Sequence, residues 1–338
     1  MRIPVIATSS LAFAFAGVAF AANSVAPPVS GPVVHGNLAL YFVHGASRPG
    51  PAPLTLQEAL AMKTVEVRET GSVNSLQIEN LGDNPVFVQA GDVVKGGRQD
   101  RTLQMSLLLP SHSGSIPIAS FCVEHGRWTA RNTEDPTKFE ASVASVPSRE
   151  MKMAMEAPLP ATAGASGTGV RQQRVWDGVA KAQDRLGAAV GGTVRSTASE
   201  TSLQLALENQ RLAKLREDYV KALHEAGEKD GDITGYVFAV NGKINSGEVY
   251  ESNALFRKMW PKLLDASATE AISHHGEEKA APPAVNDVAA FLADSDRGTA
   301  SVMPLNFGVS RATRESAAAY SFETASAAGW VHRGYLAK

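Results

Sequence analysis

The chain has 338 residues, of which 44% are hydrophobic and 20% charged, enough apolar material for a sizeable core. Its 32 Lys plus Arg nearly balance its 34 Asp plus Glu, for a formal net charge of −2. That balance, with no basic stripe, argues against a protein that grips nucleic acid by charge.

The N-terminus reads as a secretory signal peptide. Arg2 precedes an apolar run that ends near Phe20, and Ala19 and Ala21 complete an A-x-A cleavage site. The most apolar part, Leu11 to Ala22, is about 12 residues, short of the roughly 20 that span a bilayer. Residues 1–21 are therefore expected to be removed. That would leave an exported protein, periplasmic or extracellular, with no transmembrane segment. The single cysteine, Cys122, excludes an intramolecular disulfide, so stability must come from core burial.

Residues 22–34, rich in Pro, Ser and Val, read as a linker into one globular β-rich domain over 35–338. The run Leu38–Val43 is a buried strand. Thr55 with Glu58 three residues on has the capping-box pattern for a short helix. Residues 64–69, 75–80 and 85–90 are short β-branched runs separated by Gly, Asn and Pro turns, as in a sandwich. "RTLQMSLLLP" and "IPIASFCVE" then read as one hairpin whose opposed residues sum to 225. Leu103 would face Cys122 and Arg101 would face Glu124. Residues 157–169 read as a mobile loop.

Two helices are expected between 172 and 227. The first buries Val175, Val179, Ala182 and Leu186. The second is capped by Thr197 with Glu200 and carries Leu205, Leu212, Leu215, Tyr219 and Leu223 as its stripe. Asn241-Gly242 is the preferred turn of a second hairpin. Ser252 caps a helix that Pro261 kinks or restarts. A short helix near 286–295 and a final strand pair fall within the less regular segment 276–338. Strands, then helices, then strands predict an α+β fold, an antiparallel β-sandwich-like core with packed helical inserts.

Two polar blocks, "GDVVKGGRQDR" (91–101) and "CVEHGRW" (122–128), stand one hairpin apart. Together with "GYVFAVNGKINSGEVYES" and "LFRKMWPKLL", they resemble the family named for its association with ADP-ribosylglycohydrolases and the rhodanese-phosphatase superfamily. The resemblance covers roughly residues 35–275 and, more faintly, the last strand around "GWVHRGYL". It implies a mainly β domain with helical inserts and a link to NAD- or ADP-ribose-related metabolism. Asp100 stands where members often carry Asn, and His125 where they often carry Gln.

The hairpin register brings the two blocks to one surface. Lys95, Gln99, Arg101 and Arg127 are candidate ligands for phosphate or carboxylate, and Trp128 is a candidate stacking surface. Asp92 and Glu124 are the candidate acid and base. The rival reading makes Arg101–Glu124 a cross-strand pair that closes the hairpin, with Trp128 capping the core. The block is not a P-loop, because Gly97-Arg98 stands where Lys-Ser/Thr is required. Cys122 and His125 leave a strand on opposite faces, which disfavours a nucleophile–base pair. No histidine spacing matches a metal site, and nothing calls for a cofactor. Two functions fit: binding or hydrolysis of a phosphorylated or nucleotide-derived, ADP-ribose-like molecule, or a non-catalytic module that binds an envelope protein.

Overall fold

The computed structural model describes residues 27–131, 134–159 and 167–338. The expected signal peptide lies outside the described residues, as do 160–166 of the expected mobile loop. Among the described residues the chain forms an α+β fold of three largely antiparallel sheets with sandwich-like packing and seven α-helices.

The first strands are β1 (Val29–His35), β2 (Leu38–His44) and β3 (Leu54–Thr55). β1 corrects the linker reading over residues 29–34, because it pairs antiparallel with β2; residues 22–26 of the expected linker lie outside the described residues. Pro32 is compatible with this pairing, because an edge strand tolerates proline where no ladder N–H is needed, and a bulge falls between Ser30 and Val33. Helix α1 (Leu56–Ala61) has the expected box. Glu58 N–H donates to Thr55 Oγ1 at 3.2 Å, and Thr55 N–H donates to Glu58 Oε2 at 2.8 Å. Next come β4 (Val65–Ser72), β5 (Ser75–Asn80), β6 (Val86–Val88), β7 (Asp92–Gly96), β8 (Arg101–Leu103), β9 (Leu107–Leu109), β10 (Gly114–Cys122) and β11 (Phe139–Ser145).

The expected 101–124 hairpin does not form as one unit. Only β8 pairs with the end of β10, placing Leu103 opposite Ser120 and Arg101 opposite Cys122. Those pairs sum to 223, a slip of two residues that leaves every side chain on its expected face. The stretch after β8 departs, and β9 pairs with β6 in a different sheet. The first part of β10 pairs instead with β5. An apolar run such as Leu107–Leu109 satisfies any buried strand position, so local pattern could not choose its partner.

Helices α2 (Arg149–Glu156), α3 (Gly167–Ala189), α4 (Leu203–Leu207) and α5 (Gln210–Leu223) follow. The face of α3 is as expected, with Val175, Val179, Ala182 and Leu186 buried. The single long helix expected after it is two. Asn209 interrupts it and caps α5, its Oδ1 accepting from Arg211 N–H at 3.0 Å and Leu212 N–H at 3.3 Å. Ser202, not Thr197, caps α4. An Asn side chain competes for backbone N–H groups, which favours a cap over a helix interior. Within α5, Leu212, Tyr219 and Leu223 are buried while Leu215, at the edge of the expected stripe, is exposed.

The second hairpin is as expected: β12 (Ile233–Val240) and β13 (Lys243–Tyr250), with Asn241 at φ 51° and Gly242 at φ 80°. Helix α6 (Asn253–Ser273), capped by Ser252, runs unbroken through Pro261. Buried Trp260, Leu263 and Leu264 flank the proline, and their packing maintains the helix across the missing N–H. After α7 (Val285–Asp296) come β14 (Thr299–Pro304), β15 (Ser310–Glu315), β16 (Ala319–Ser326) and β17 (Gly329–Ala337). The final pair was expected; β14 and β15 were not.

The eight-stranded sheet runs β1-β2-β12-β13-β17-β16-β15-β14, and its centre is buried on both faces. Leu38, Leu40 and Phe42 join the core built with α3, α5 and α6, while Ala39, Tyr41 and Val43 join a second core under α7. Double burial explains why 38–43 is a continuous apolar run rather than an alternating one. The six-stranded sheet, β11-β7-β8-β10-β5-β4, and the three-stranded sheet, β3-β6-β9, share a third core around Leu76, Ile78, Val94 and Phe139.

Candidate functional site

The stretch 91–101 leaves β7, turns on two glycines and enters β8. Gly96 has φ +115° and Gly97 φ +55°. A Cβ on Gly97 would lie 2.4 Å from Phe139 Cζ, so that position requires glycine for conformation and for space. The element after the turn is a strand, so the loop does not feed directly into a helix as a phosphate-binding loop does.

The turn places Asp100 and Glu124 side by side, both fully buried. Glu124 Oε2 accepts the Asp100 N–H at 3.1 Å, and Gln99 Nε2 donates to Glu124 O at 2.9 Å. Two arginines neutralise the pair. Arg131 makes a fork to Asp100, with Nη2 2.6 Å from Oδ1 and Nη1 2.7 Å from Oδ2. Arg127 Nε lies 2.7 Å from Glu124 Oε1, a charge contact without hydrogen-bond alignment. Gly96 N–H and Ser202 Oγ complete the shell of Asp100 at 3.1 and 2.9 Å. Glu134 adds a third carboxylate, 3.0 Å from Arg131.

Three carboxylates face two guanidiniums, so the network carries one excess negative charge if all are ionised. The two buried acids shift in opposite directions. Burial, with Glu124 nearby, pushes the Asp100 carboxyl above its ordinary range against the opposing pull of Arg131. Burial also presses Glu124 upward, but Arg127 and the Asp100 N–H overcome it and hold that carboxylate below its ordinary range.

The remaining sequence candidates fall in different places. Asp92 is buried at the start of β7, about 13 Å of strand from Gly96. It pairs with Lys262 of α6 and accepts the Gln89 N–H at 3.0 Å. Arg101 is fully buried. It reaches Glu69 at 3.4 Å and Gln99 O at 3.0 Å, so the expected Arg101–Glu124 pair does not form. The two-residue slip puts Arg101 opposite Cys122, which accounts for the change. Trp128 is 38% exposed, with the guanidinium carbons of Arg98 and Arg101 5.5 and 5.6 Å from its ring, so it does not cap the core. Lys95 pairs with Glu208 at 2.8 Å across a partly exposed gap. Cys122 is buried, and burial pushes its thiol up, the state of an inert structural cysteine.

Beside the network lies a cleft of about 590 Å³. Lys95 and Gly96 of the polar block line it, and Glu134 belongs to both cleft and network. Val65, Val67 and Phe139 give it an apolar floor, and Lys63 and Lys138 stand with Lys95 around it. A smaller cleft of about 210 Å³ holds His125 against Trp176, their ring centroids 4.4 Å apart.

Arg131, Glu134, Ser202 and Glu69 are the members that sequence reasoning missed. Arg131 and Glu134 follow directly on "CVEHGRW", so the polar run "RNTED" was an available signal. Ser202 and Glu69 arrive through tertiary contacts that no local pattern marks. Among the described residues no three His, Cys, Asp or Glu side chains gather to hold a metal ion, and no helix is long and apolar enough to cross a membrane.

No curated protein and no solved structure matches the chain. A family model does, over residues 28–335, and takes in the glycine turn, the buried carboxylate–arginine network and most of the closing strand β17. The chain belongs to the ARG and Rhodanese-Phosphatase-superfamily-associated Protein domain family.

Proposed function

We propose that this chain is an exported protein that binds a nucleotide-derived small molecule, of ADP-ribose-like chemistry, in the 590 Å³ cleft beside the polar turn. The observation that carries the reading is the make-up of that cleft. Its volume is within the range of small-molecule sites, roughly 300–1,000 Å³. The floor of Val65, Val67 and Phe139 suits a base. Glu66, Glu134 and Glu140 suit sugar hydroxyls, and Lys63, Lys95 and Lys138 suit phosphates. The family's name, through its ADP-ribosylglycohydrolase association, supports the same ligand class. The N-terminal A-x-A pattern supports export.

Binding has more support than hydrolysis. Asp92 and Glu124 are sealed from solvent and fully engaged by Lys262 and by the arginine network. Lys95, with Glu134, is the link between network and ligand. On this reading Gln99, Arg101 and Arg127 hold the turn rather than touch ligand, and Trp128 is the exposed neighbour. A second reading, a module that binds an envelope protein, draws on β14, an edge strand with Val302 and Met303 exposed.

A thermal-shift series with ADP-ribose, AMP and ribose 5-phosphate tests the first reading. ADP-ribose at a hundred times its Kd stabilises by about 2.7 kcal/mol. The Lys63→Ala/Lys138→Ala double variant, altered only at the surface, should lose most of that shift. If none of the three compounds raises the melting temperature of the unaltered chain, the cleft is not a nucleotide site and the second reading gains.

A further inference from the structure

A second cleft, of about 450 Å³, lies on another part of the molecule, where the N-terminal end of α2, the β12–β13 turn and the C-terminal end of α6 converge. Its lining is charged in a patterned way. The cations come from the α2, α3 and β13 side: Arg149, Arg185 and Lys243. The α6 end supplies Glu270, Glu277 and Glu278. Glu150 breaks the pattern, but it is engaged by Lys181 at 2.5 Å and Arg185 at 3.9 Å.

The helix termini reinforce the separation. α2 presents its positive end and α6, 21 residues long, its negative end. The protein already uses this field once: Glu270, 3% exposed, crosses the cleft floor and accepts the first amide of α2, Arg149 N–H, at 3.1 Å, and Asn245 Nδ2 at 3.3 Å. His274 is absorbed between Glu277 at 2.7 Å and Glu270 at 3.7 Å. What stays unengaged is a charge of each sign: Lys243 and Glu278 make no ion pair among the described residues. Asn241, 5% exposed and also in the lining, has a buried Oδ1 that finds no donor.

We propose that this cleft binds a small zwitterion carrying a free ammonium and a free carboxylate, the amino-acid or short-peptide class, with its carboxylate toward Lys243 and Arg149 and its ammonium toward Glu278 and the end of α6. An anion alone would meet the acids of α6, and a cation alone would meet Lys243 and the arginines, so neither matches the field that a dipolar ligand matches. The site is separate from the nucleotide cleft, and its test does not depend on that reading.

Calorimetric titration of the full chain with alanyl-alanine, its N-acetyl form and its C-terminal amide decides the matter. Alanyl-alanine is expected to bind saturably, and each capped form at least tenfold more weakly. Lys243→Ala should weaken alanyl-alanine about tenfold while leaving the amide's affinity unchanged. Glu278→Gln should do the same with respect to the N-acetyl form. Both side chains are at the surface, and unchanged melting temperatures would show that the fold is retained. Absence of saturable heat with alanyl-alanine, equal affinity for all three compounds, or indifference to both substitutions would overturn the proposal.

Discussion

Arg131 is the residue on which the polar network turns. It forks onto Asp100, approaches Glu124 and pairs with Glu134. Burial opposes its charge, and the carboxylates around it more than compensate. Removing it would leave two fully buried acids with one misaligned partner, Arg127. Arg131→Ala should therefore cost about 3–5 kcal/mol, the usual result of stranding buried charge. Arg98 is exposed, with its guanidinium carbon 5.5 Å from the Trp128 ring centroid, so Arg98→Ala should cost no more than about 1 kcal/mol. Urea unfolding of both variants makes the comparison, and equal losses would mean that the network is far wetter than its burial indicates. Asp100, Glu124 and Arg127 were legible as a polar block. That they face inward was not, because a run of charged residues reads the same whether solvent or an opposing arginine satisfies it.

At the scale of elements, the helix pair α4–α5 shows how a single side chain overrides periodicity. The leucine spacing from 205 to 223 continues through Asn209, and spacing alone joins the two segments. The Asn209 side chain instead takes two backbone N–H groups and starts a new helix. Asn209→Ala removes that cap and is expected to destabilise by about 1 kcal/mol, read as a lower urea midpoint at unchanged slope. A gain in stability would mean that the break is imposed by packing rather than by the cap. The elements that were legible carry signals closing within a few residues: the Thr55–Glu58 box, the Asn241-Gly242 turn and the Ser252 cap. The partner of β9 was not legible, because strand pairing is decided by segments far apart in the chain.

Across the whole molecule, a buried ionic network joins helix to sheet. Lys152 of α2 lies 3.3 Å and His332 of β17 2.9 Å from Glu248 of β13, while Arg311 of β15 lies 2.8 Å from Glu156. Burial presses Glu248 upward, but Lys152 and His332 hold it below its ordinary value of 4.5. A depressed folded value means that the unfolded chain takes up the proton first. The contribution is therefore complete above pH 4.5 and is lost as pH falls through the lower folded value. Unfolding free energy measured from pH 6 downward should fall more steeply in the unaltered protein than in Glu248→Gln. Parallel curves would show that Glu248 is not linked to folding. Taken alone, the sequence determined the α+β class, the buried strand at 38–43, the Asn241-Gly242 turn and the Thr55 and Ser252 caps, because each depends on contacts within a few residues or on burial pattern. Only the tertiary structure decided that 29–35 is an edge strand, that β9 leaves its hairpin, that Asp92 joins α6 rather than Glu124, and that the polar blocks form a buried network beside a cleft. Each of those outcomes depends on which distant segment a strand or charge meets, and hydrophobic period and local charge are the same for every partner that satisfies them.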